Sequence, residues 1–361
     1  MSDSEQIFLK NCWYVAAWDH ELLDGKKLAR TILEKPVVLY RGESGRYVAL
    51  DDRCCHRAAP LSMGRIEGDC IRCMYHGLKF DETGMCIQIP GQDRIPKTMK
   101  VVSYPVEERS HLIWIWMGDP ALANPDLIVD YEPMGSPDWR GLPAYLHYDA
   151  NWLLIVDNLS DFAHLAFVHT NTLGGSEEYA YETKHIDIER LENGFRVERW
   201  HKDSEAPPYH KRVIADKDAK VDRRNIAEML IPGIFLMETM FAPAGSSDYS
   251  LDSTRQYRNC QYMTPETRST THFFWNYLHN SNIDDPNIAI SLRDSLFEGF
   301  YEDKAIIEAQ QVILDNDPEF RLRVLAADAP LTHFRQVLKK KIAQENEGTG
   351  ETVTKLQKKS A

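Results

Sequence analysis

The sequence predicts an α+β fold in two parts, a compact β-rich part and then one that mixes strands with helices. Two observations carry this. Up to about residue 145, short apolar runs alternate with Gly and Pro turns, as in a small β domain. Beyond a Pro-, Asp- and Gly-rich stretch at 124–143, strand patterns give way to a long helical pattern near residue 285. Domains are therefore expected over 1–145 and 146–343, with a polar C-terminal tail over 344–361.

In the first part, Val37-Val38-Leu39-Tyr40 reads as a strand, Gly42-Glu43-Ser44-Gly45 as a turn, and Tyr47-Val48-Ala49-Leu50 as its return. Leu112-Ile113-Trp114-Ile115-Trp116 is another strand, closed by Gly118-Asp119-Pro120. Asn124 to Pro143 reads as the link. Ile186 to Trp200 is expected to be a hairpin turning at Asn193-Gly194. Met229 to Phe241 and Thr270 to Leu278 are strand candidates. Asp285-Pro286 opens a helix, Asp as N-cap and Pro at the first turn, that runs to about Leu314. From Gln344 the chain is polar, with Lys358 and Lys359 near its end, and reads as a frayed tail.

Composition bounds the function. The chain has 361 residues with 55 acids against 42 bases, a net charge of −13, which argues against a general nucleic-acid or membrane-surface binder. No apolar run has the ~18 residues of a membrane span, and Met1 to Gln6, polar and acidic, does not read as a secretory signal. A cytoplasmic protein is expected. Its seven cysteines are too sparse for a disulfide scaffold, but four lie between Cys54 and Cys73.

Asp52-Arg53-Cys54-Cys55-His56-Arg57 is followed by Cys70-Ile71-Arg72-Cys73-Met74-Tyr75-His76-Gly77. Read as ligands, this is C-x-H, sixteen residues, then C-x-x-H. Each short loop offers one thiolate and one imidazole. A [2Fe–2S] cluster with two Cys on one iron and two His on the other needs that supply. Gly64, Gly68 and Gly77 let the loops turn closely. A Cys2His2 zinc site uses the same ligand types but usually keeps its two Cys in one knuckle and its two His in another. Four unconnected core residues are the other alternative. Cys55 and Cys70 are spare thiols beside the site, expected to stay reduced. Cys12, Cys86 and Cys260 read as buried small hydrophobes.

A second group lies in Asp157-Asn158-Leu159-Ser160-Asp161-Phe162-Ala163-His164-Leu165-Ala166-Phe167-Val168-His169. Asp161 and His164 share a helix face. His164 and His169 are about 140° apart on a regular helix, so one ion can bind both only if the helix bends or ends between them. Two imidazoles and a carboxylate make the facial triad of a non-haem Fe(II) oxygenase. On the long helix, Leu292, Leu296, Phe300 and Ile307 form an apolar stripe, and Asp303 falls on it. An acid facing a core needs a metal or a partner base. Glu302 and Glu308 fall off the stripe and read as solvated.

Both clusters, in this order, resemble the Rieske non-haem iron oxygenases from Asn11-Cys12-Trp13-Tyr14-Val15-Ala16 to about Leu338, most closely the vanillate and dicamba O-demethylases and the toluenesulfonate methyl-monooxygenase. Asn158-x-x-Asp161-x-x-His164-x4-His169 matches the family's iron motif, and Tyr301-Glu302-Asp303 its carboxylate site. Cys55 departs from the pattern, since much of the family has proline there. The resemblance implies an N-terminal Rieske [2Fe–2S] β domain with ligands Cys54, His56, Cys73 and His76. It implies a helix-grip catalytic domain holding mononuclear Fe(II) on His164, His169 and Asp303. It further implies a homotrimer in which Asp161 bridges His76 of one subunit and His164 of the next.

No G-x-G-x-x-G follows a strand and no flavin motif is evident, so the chain is not expected to oxidise NAD(P)H alone; the resemblance implies a separate NAD(P)H-dependent reductase carrying flavin and an iron–sulfur centre. The expected activity is O2-dependent oxidation of a methyl or methoxy group on a small aromatic acid. Ring hydroxylation or dioxygenation is one alternative, and an electron-transfer protein without oxygenation another. A zinc-binding interaction module is a third. Gln261, Phe273, Trp275, Met237 and Met240 lie on segments expected to line the substrate pocket.

Overall fold

The computed structural model describes residues 7–174, 187–214, 216–250 and 253–348. The readings of Met1–Gln6, of Ile186 and of Lys358 and Lys359 fall outside them. The chain divides into two compact units. One comprises the chain up to Asp130, Thr264–Arg268 and the described end from Ile342. The other comprises Tyr131–Met263 and Ser269–Lys341.

The first unit is built from short strands: β1 (Trp13–Trp18), β2 (Lys27–Ile32), β3 (Lys35–Arg41), β4 (Tyr47–Asp51), β5 (Arg65–Glu67), β6 (Cys70–Arg72), β7 (Lys79–Phe80), β8 (Cys86–Gln88), β9 (Ser103–Tyr104), β10 (Val106–Arg109) and β11 (Leu112–Trp116). They form antiparallel sheets ordered β1-β11-β10, β2-β3-β4-β9 and β5-β6-β7-β8. Val38 and Tyr40 from β3 and Val48 and Leu50 from β4 alternate into one core with Leu61, Ile71 and Phe80. Cys54 and Cys73 belong to that core. The loops that carry them leave β4 and β6.

In the second unit, β12 (Arg140–Gly141), β13 (Ala144–Tyr148), β14 (Asp187–Leu191), β15 (Gly194–Glu205), β16 (Lys220–Leu230), β17 (Ile234–Pro243), β18 (Arg255–Pro265) and β19 (Thr271–His279) form one antiparallel sheet. Its order is β12-β19-β18-β17-β16-β15-β14, and β13 also pairs with β19. The helices are α1 (Trp152–Ser160), α2 (Leu165–Val168), α3 (Pro208–Lys211), α4 (Pro286–Asn316) and α5 (Ala329–Asn346). A sheet with a long helix across one face buries Leu292, Leu296, Phe300 and Ile307 of α4.

Two expectations change here. Met229 to Phe241 is not one strand: Met229 and Leu230 end β16, the chain turns at Ile231-Pro232-Gly233, and β17 starts at Ile234. Proline has no N–H to give a ladder, so the apolar run breaks there. The link at 124–143 holds 3₁₀ turns at Pro125–Leu127 and Glu132–Met134 and lends β12 to the sheet. The polar tail does not begin at Gln344. Helix α5 runs to Asn346, and the Glu345 carboxylate accepts the backbone N–H groups of Lys10 and Asn11 at 3.0 and 2.5 Å. The long helix itself starts at the Asp285 cap, whose side chain accepts Asn287 N–H.

Candidate active site

The first constellation sits on two loops with one hydrogen-bond pattern. Cys54 N–H donates to Ala59 O, and its carbonyl accepts Ala58 N–H at 2.9 Å. Cys73 N–H donates to Leu78 O, and its carbonyl accepts Gly77 N–H at 3.0 Å. The turn residues match too, Ala58 at φ 54° and Gly77 at φ 75°. Each loop is thus one left-handed turn hung on a cysteine carbonyl. A side chain at Gly64 would meet Arg72 O at 2.1 Å, so the loops approach each other across that glycine.

This places the four side chains in two layers. Cys54 and Cys73 are 3% and 1% exposed, whereas His56 and His76 are exposed, with ring centroids 4.6 Å apart. Burial pushes the Cys54 thiol up to about 11, and the neighbouring Cys73 adds to this. Buried thiols held side by side suit an iron pair, because a metal displaces their protons. Exposed imidazoles above them suit the second iron of a Rieske cluster. Side chains fasten both loops. Asp52 accepts the N–H and hydroxyl of Ser62 at 2.6 Å each. Arg72 donates to Gly77 O at 2.7 Å and to Glu67. Cys55 is exposed, Cys70 is half-buried, and Cys12, Cys86 and Cys260 are buried.

The second constellation forms where α1 stops. The chain breaks at Asp161, makes a 3₁₀ turn over Phe162–His164, and then a short α2 that ends at Val168. His169 caps α2 with φ −110° and ψ 38°. The helix therefore does end between the two histidines, and their rings converge to a centroid distance of 5.2 Å. Asp303, buried on the α4 stripe, faces them, with Oδ1 at 3.0 Å from His169 Nε2 and 3.5 Å from His164 Nε2. One ligand atom from each of the three lies within 4.8 Å of the others.

Hydrogen bonding fixes what these atoms offer. His169 Nδ1 donates to Glu302 Oε2 at 2.7 Å, and His164 Nδ1 meets the backbone carbonyl of Asp161. That leaves Nε2 of each ring with its lone pair toward the Asp303 carboxylate, and His169 Nε2 makes no hydrogen bond among the described residues. Two lone pairs facing a carboxylate repel unless a cation sits among them, so the site fits a metal ion. Without one, burial drives the His164 pKa down. At His169 burial also lowers the pKa, but the nearby carboxylates of Asp303 and Glu302 outweigh it and the net direction is up. Asn158 Nδ2 donates to Asp303 Oδ1 at 2.9 Å and orients it.

Glu302 corrects the sequence reading. Although off the stripe, it is half-buried and binds both His169 Nδ1 and the Thr172 hydroxyl. Glu308 is not simply solvated either, since it accepts Asp149 N–H at 2.7 Å and pairs with Lys304. Asp161 Oδ1 accepts Ala163 N–H at 2.8 Å and so caps the turn that delivers His164. Within one chain its carbonyl, not its carboxylate, touches His164.

The triad opens on a cavity of about 670 Å³, its mouth included, which is room for a small arene. Leu159, Phe162, Leu296 and Phe300 line the helix wall. Phe235, Met237, Gln261 and Tyr277 belong to the sheet wall, with Arg223, Asn225 and Asn259. Gln261 and Met237 thus line it. Phe273 and Trp275 share the Tyr277 face of β19 but do not line it, because α4 roofs them: Phe273 meets Phe300 at 5.3 Å and Trp275 meets Phe297 at 4.9 Å. Met240 is buried in the core away from the lining. Arg223, Asn225, Asn259 and Tyr277 escape a sequence reading. Their only signal is polar residues at i, i+2 inside strands.

Comparisons with known proteins identify both parts of the chain. The Rieske [2Fe-2S] domain matches residues 12–105, and the vanillate O-demethylase oxygenase C-terminal domain matches 148–344. The iron-sulfur subunit of the toluene-4-sulfonate monooxygenase system of Comamonas testosteroni is 45% identical, covering 95% of this chain and 99% of its own. The oxygenase component of dicamba O-demethylase from Stenotrophomonas maltophilia is 36% identical over 84% of this chain and 88% of its own. The crystal structure of dicamba monooxygenase with non-heme iron and dicamba superposes with a TM-score of 0.76 at 30% identity, covering 95% and 99% of the two chains. The cofactors are accordingly a Rieske [2Fe–2S] cluster and a mononuclear non-haem iron. With both domains matched in order and relatives aligned over nearly its whole length, this chain belongs to the Rieske non-haem iron oxygenases, as an oxygenase component of the vanillate and dicamba demethylase branch.

Proposed function

We propose that this chain is the terminal oxygenase component of a multicomponent Rieske monooxygenase that oxidises the methyl or methoxy group of an aromatic acid. The observation that carries this is the convergence of His164, His169 and Asp303 on the wall of an arene-sized cavity. A pure electron carrier needs only the first unit and would have no use for that triad. Relatives named for toluene-4-sulfonate, vanillate and dicamba support the methyl or methoxy chemistry.

In this reading Cys54, His56, Cys73 and His76 hold the cluster, and His164, His169 and Asp303 hold Fe(II). When bound, the iron supplies O2 activation with electrons relayed through the cluster. Glu302 keeps the His169 proton on Nδ1 and Asn158 steadies Asp303, so the ligand geometry is set before iron arrives. Phe162, Phe235, Met237 and Phe300 grip the ring and exclude water. Insertion of one oxygen into a methoxy C–H gives a hemiacetal that collapses to phenol and formaldehyde. A ring methyl stops at the benzyl alcohol. The other oxygen leaves as water, with two electrons and two protons. The electrons come from NAD(P)H through a separate reductase bearing flavin and an iron–sulfur centre. The working form is a cytoplasmic homotrimer, and Asp161 links His164 of one copy to His76 of the next. Among the described residues no helix is long and apolar enough to cross a membrane.

The test is single-turnover chemistry on anaerobically reduced, iron-replete protein without reductase. O2 is added with methoxy-, methyl- and unsubstituted aromatic acids, and products are read by mass with an assay for formaldehyde. Formaldehyde with the matching phenol, or a benzyl alcohol, is expected. A diol or ring phenol instead would move the chain to ring oxidation, and no product from any arene would overturn the proposal.

A further inference from the structure

The sheet wall of the cavity is polar where an arene alone has no use for polarity. Arg223 and Asn225 are two apart on β16, so their side chains leave the same face of the sheet. Asn259 and Gln261 repeat the arrangement on β18. The register sets Asn225 opposite Thr239, Met237 opposite Asn259, and Phe235 opposite Gln261. Polar groups are thus interleaved with the apolar side chains that would hold a ring.

These groups are deeply buried. Asn259 is 3% exposed, Gln261 2% and Arg223 8%. Asn259 Oδ1 and Gln261 Oε1 have no hydrogen-bond partner among the described residues, although both side chains line the cavity. A buried polar atom left unsatisfied is costly and rare, so two in one wall point to a bound ligand that satisfies them. A half-turn of either amide presents its NH2 to the cavity instead. The Asn225 amide, oriented to satisfy both its atoms, accepts from Arg223 Nη2 at 3.3 Å and donates to Arg224 O at 3.1 Å, which steadies the guanidinium.

Among its described lining residues, the sheet wall carries charge of one sign. Among the described lining residues the only carboxylate is Asp303, which stands with the metal ligands on the helix wall. Beside Arg223, His210 is pushed down to about 3 by burial and by Arg255 and Arg223, and His201 to about 4 by burial, Arg223 and Arg199. Both rings are therefore neutral at pH 7, and Arg223 supplies the charge.

We infer that Arg223, steadied by Asn225 and flanked by the Asn259 and Gln261 amides, is the anion subsite that holds the carboxylate or sulfonate of the substrate. With the anion on the sheet wall, the far end of the ring is directed to the helix wall, where His164, His169 and Asp303 converge. Arg suits this role because its planar fork meets two oxygens of a carboxylate or sulfonate at once. The inference rests on reading the cavity as the oxygenase's substrate site and adds the residue that selects for charge.

Binding tests it without turnover. Holoenzyme under argon is titrated calorimetrically with 4-methylbenzenesulfonate, 4-methylbenzoate and the neutral 4-methylbenzamide. Wild type should bind both anions about 10- to 100-fold more tightly than the amide, the range expected of a hydrogen bond to a charged group. Arg223→Gln should lose about that factor for the anions and stay within about threefold for the amide, with Arg223→Lys between them. A wild type that binds all three alike, or binds neither anion, overturns the subsite and needs no variant to do so. Equal weakening of all three by Arg223→Gln also overturns it. Anions that bind through Arg223 but yield no oxygenated product would sink the oxygenase reading and leave the subsite standing. Neutral arenes oxygenated while both anions are ignored would do the reverse.

Discussion

Glu302 Oε2 lies 2.7 Å from His169 Nδ1 and 2.5 Å from the Thr172 hydroxyl. One carboxylate oxygen thereby holds the ring of a candidate ligand and the loop that follows it. Such a partner fixes the tautomer and raises the basicity of the coordinating nitrogen, and losing it typically costs 10- to 100-fold in metal affinity. Glu302→Ala should weaken mononuclear iron binding by about that factor, with Glu302→Gln less affected because its amide oxygen can still accept. Iron retained against graded chelator measures this, and the visible spectrum of the [2Fe–2S] cluster should not change. Wild-type retention in Glu302→Ala would refute the role.

Ala58 and Gly77 occupy equivalent turns of the two cluster loops, at φ 54° and 75°. Left-handed backbone costs an L-residue about 1–2 kcal/mol, and glycine little. Ala58→Gly should therefore stabilise the cluster-bearing fold by about 0.5–1 kcal/mol once the added freedom of the unfolded chain is counted. Gly77→Ala should destabilise it by more, since its new Cβ would also come within 2.8 Å of Pro90 Cγ. Heating while following the loss of cluster colour reads both. A lower midpoint for Ala58→Gly would contradict the strain argument.

The sequence showed what depends on neighbours along the chain and hid what depends on neighbours across it. Cys54, His56, Cys73 and His76 stand in two short local motifs, so their spacing alone exposes a candidate ligand set. Asp303 is legible because an acid interrupts an apolar helix stripe. Glu302 is one residue away, about 100° around the helix, and its partner His169 is 133 residues distant, so nothing local marks it. Arg223 and Asn225 look like an exposed charged strand until Leu159, Leu296 and Phe300 of the helices close the cavity over that face. Phe273 and Trp275 alternate in phase with Tyr277, yet only packing against Phe297 and Phe300 decides which of them reaches the cavity.

Acid should loosen the second unit in a defined window. His210 is 2% exposed, stacks on Phe241 with centroids 3.8 Å apart, and pairs with the Tyr257 hydroxyl at 2.8 Å. Unfolded, an imidazole takes its proton near pH ~6.5; in the fold His210 does so only near 3. Between those values the unfolded chain holds the extra proton, so stability is intact above pH ~6.5 and falls as pH drops toward about 3. The slope is up to about 1.4 kcal/mol per pH unit for one proton. His201, held down near 4, acts in the same direction. Denaturant unfolding of His210→Gln across this range should show a slope smaller by about one proton, and parallel curves for the two proteins would refute the assignment.

Asp161 separates ligand positioning from electron delivery. Its Oδ1 caps the turn at Ala163, and its carbonyl meets His164 Nδ1. An isosteric amide keeps the carbonyl contact and an oxygen for the Ala163 N–H, so Asp161→Asn should fold and bind both metal centres. What it loses is the negative charge proposed to stand between the imidazoles of His164 and of His76 from a neighbouring copy. Oxidation of the reduced cluster after addition of substrate and O2, followed by stopped-flow absorbance, should then slow by about 10-fold or more, in line with other losses of a partner outside a metal's direct ligands. Asp161→Ala also removes the cap, worth about 1 kcal/mol, and should cost stability as well as rate. Cluster oxidation in Asp161→Asn at the wild-type rate, with iron content unchanged, would confine Asp161 to the turn.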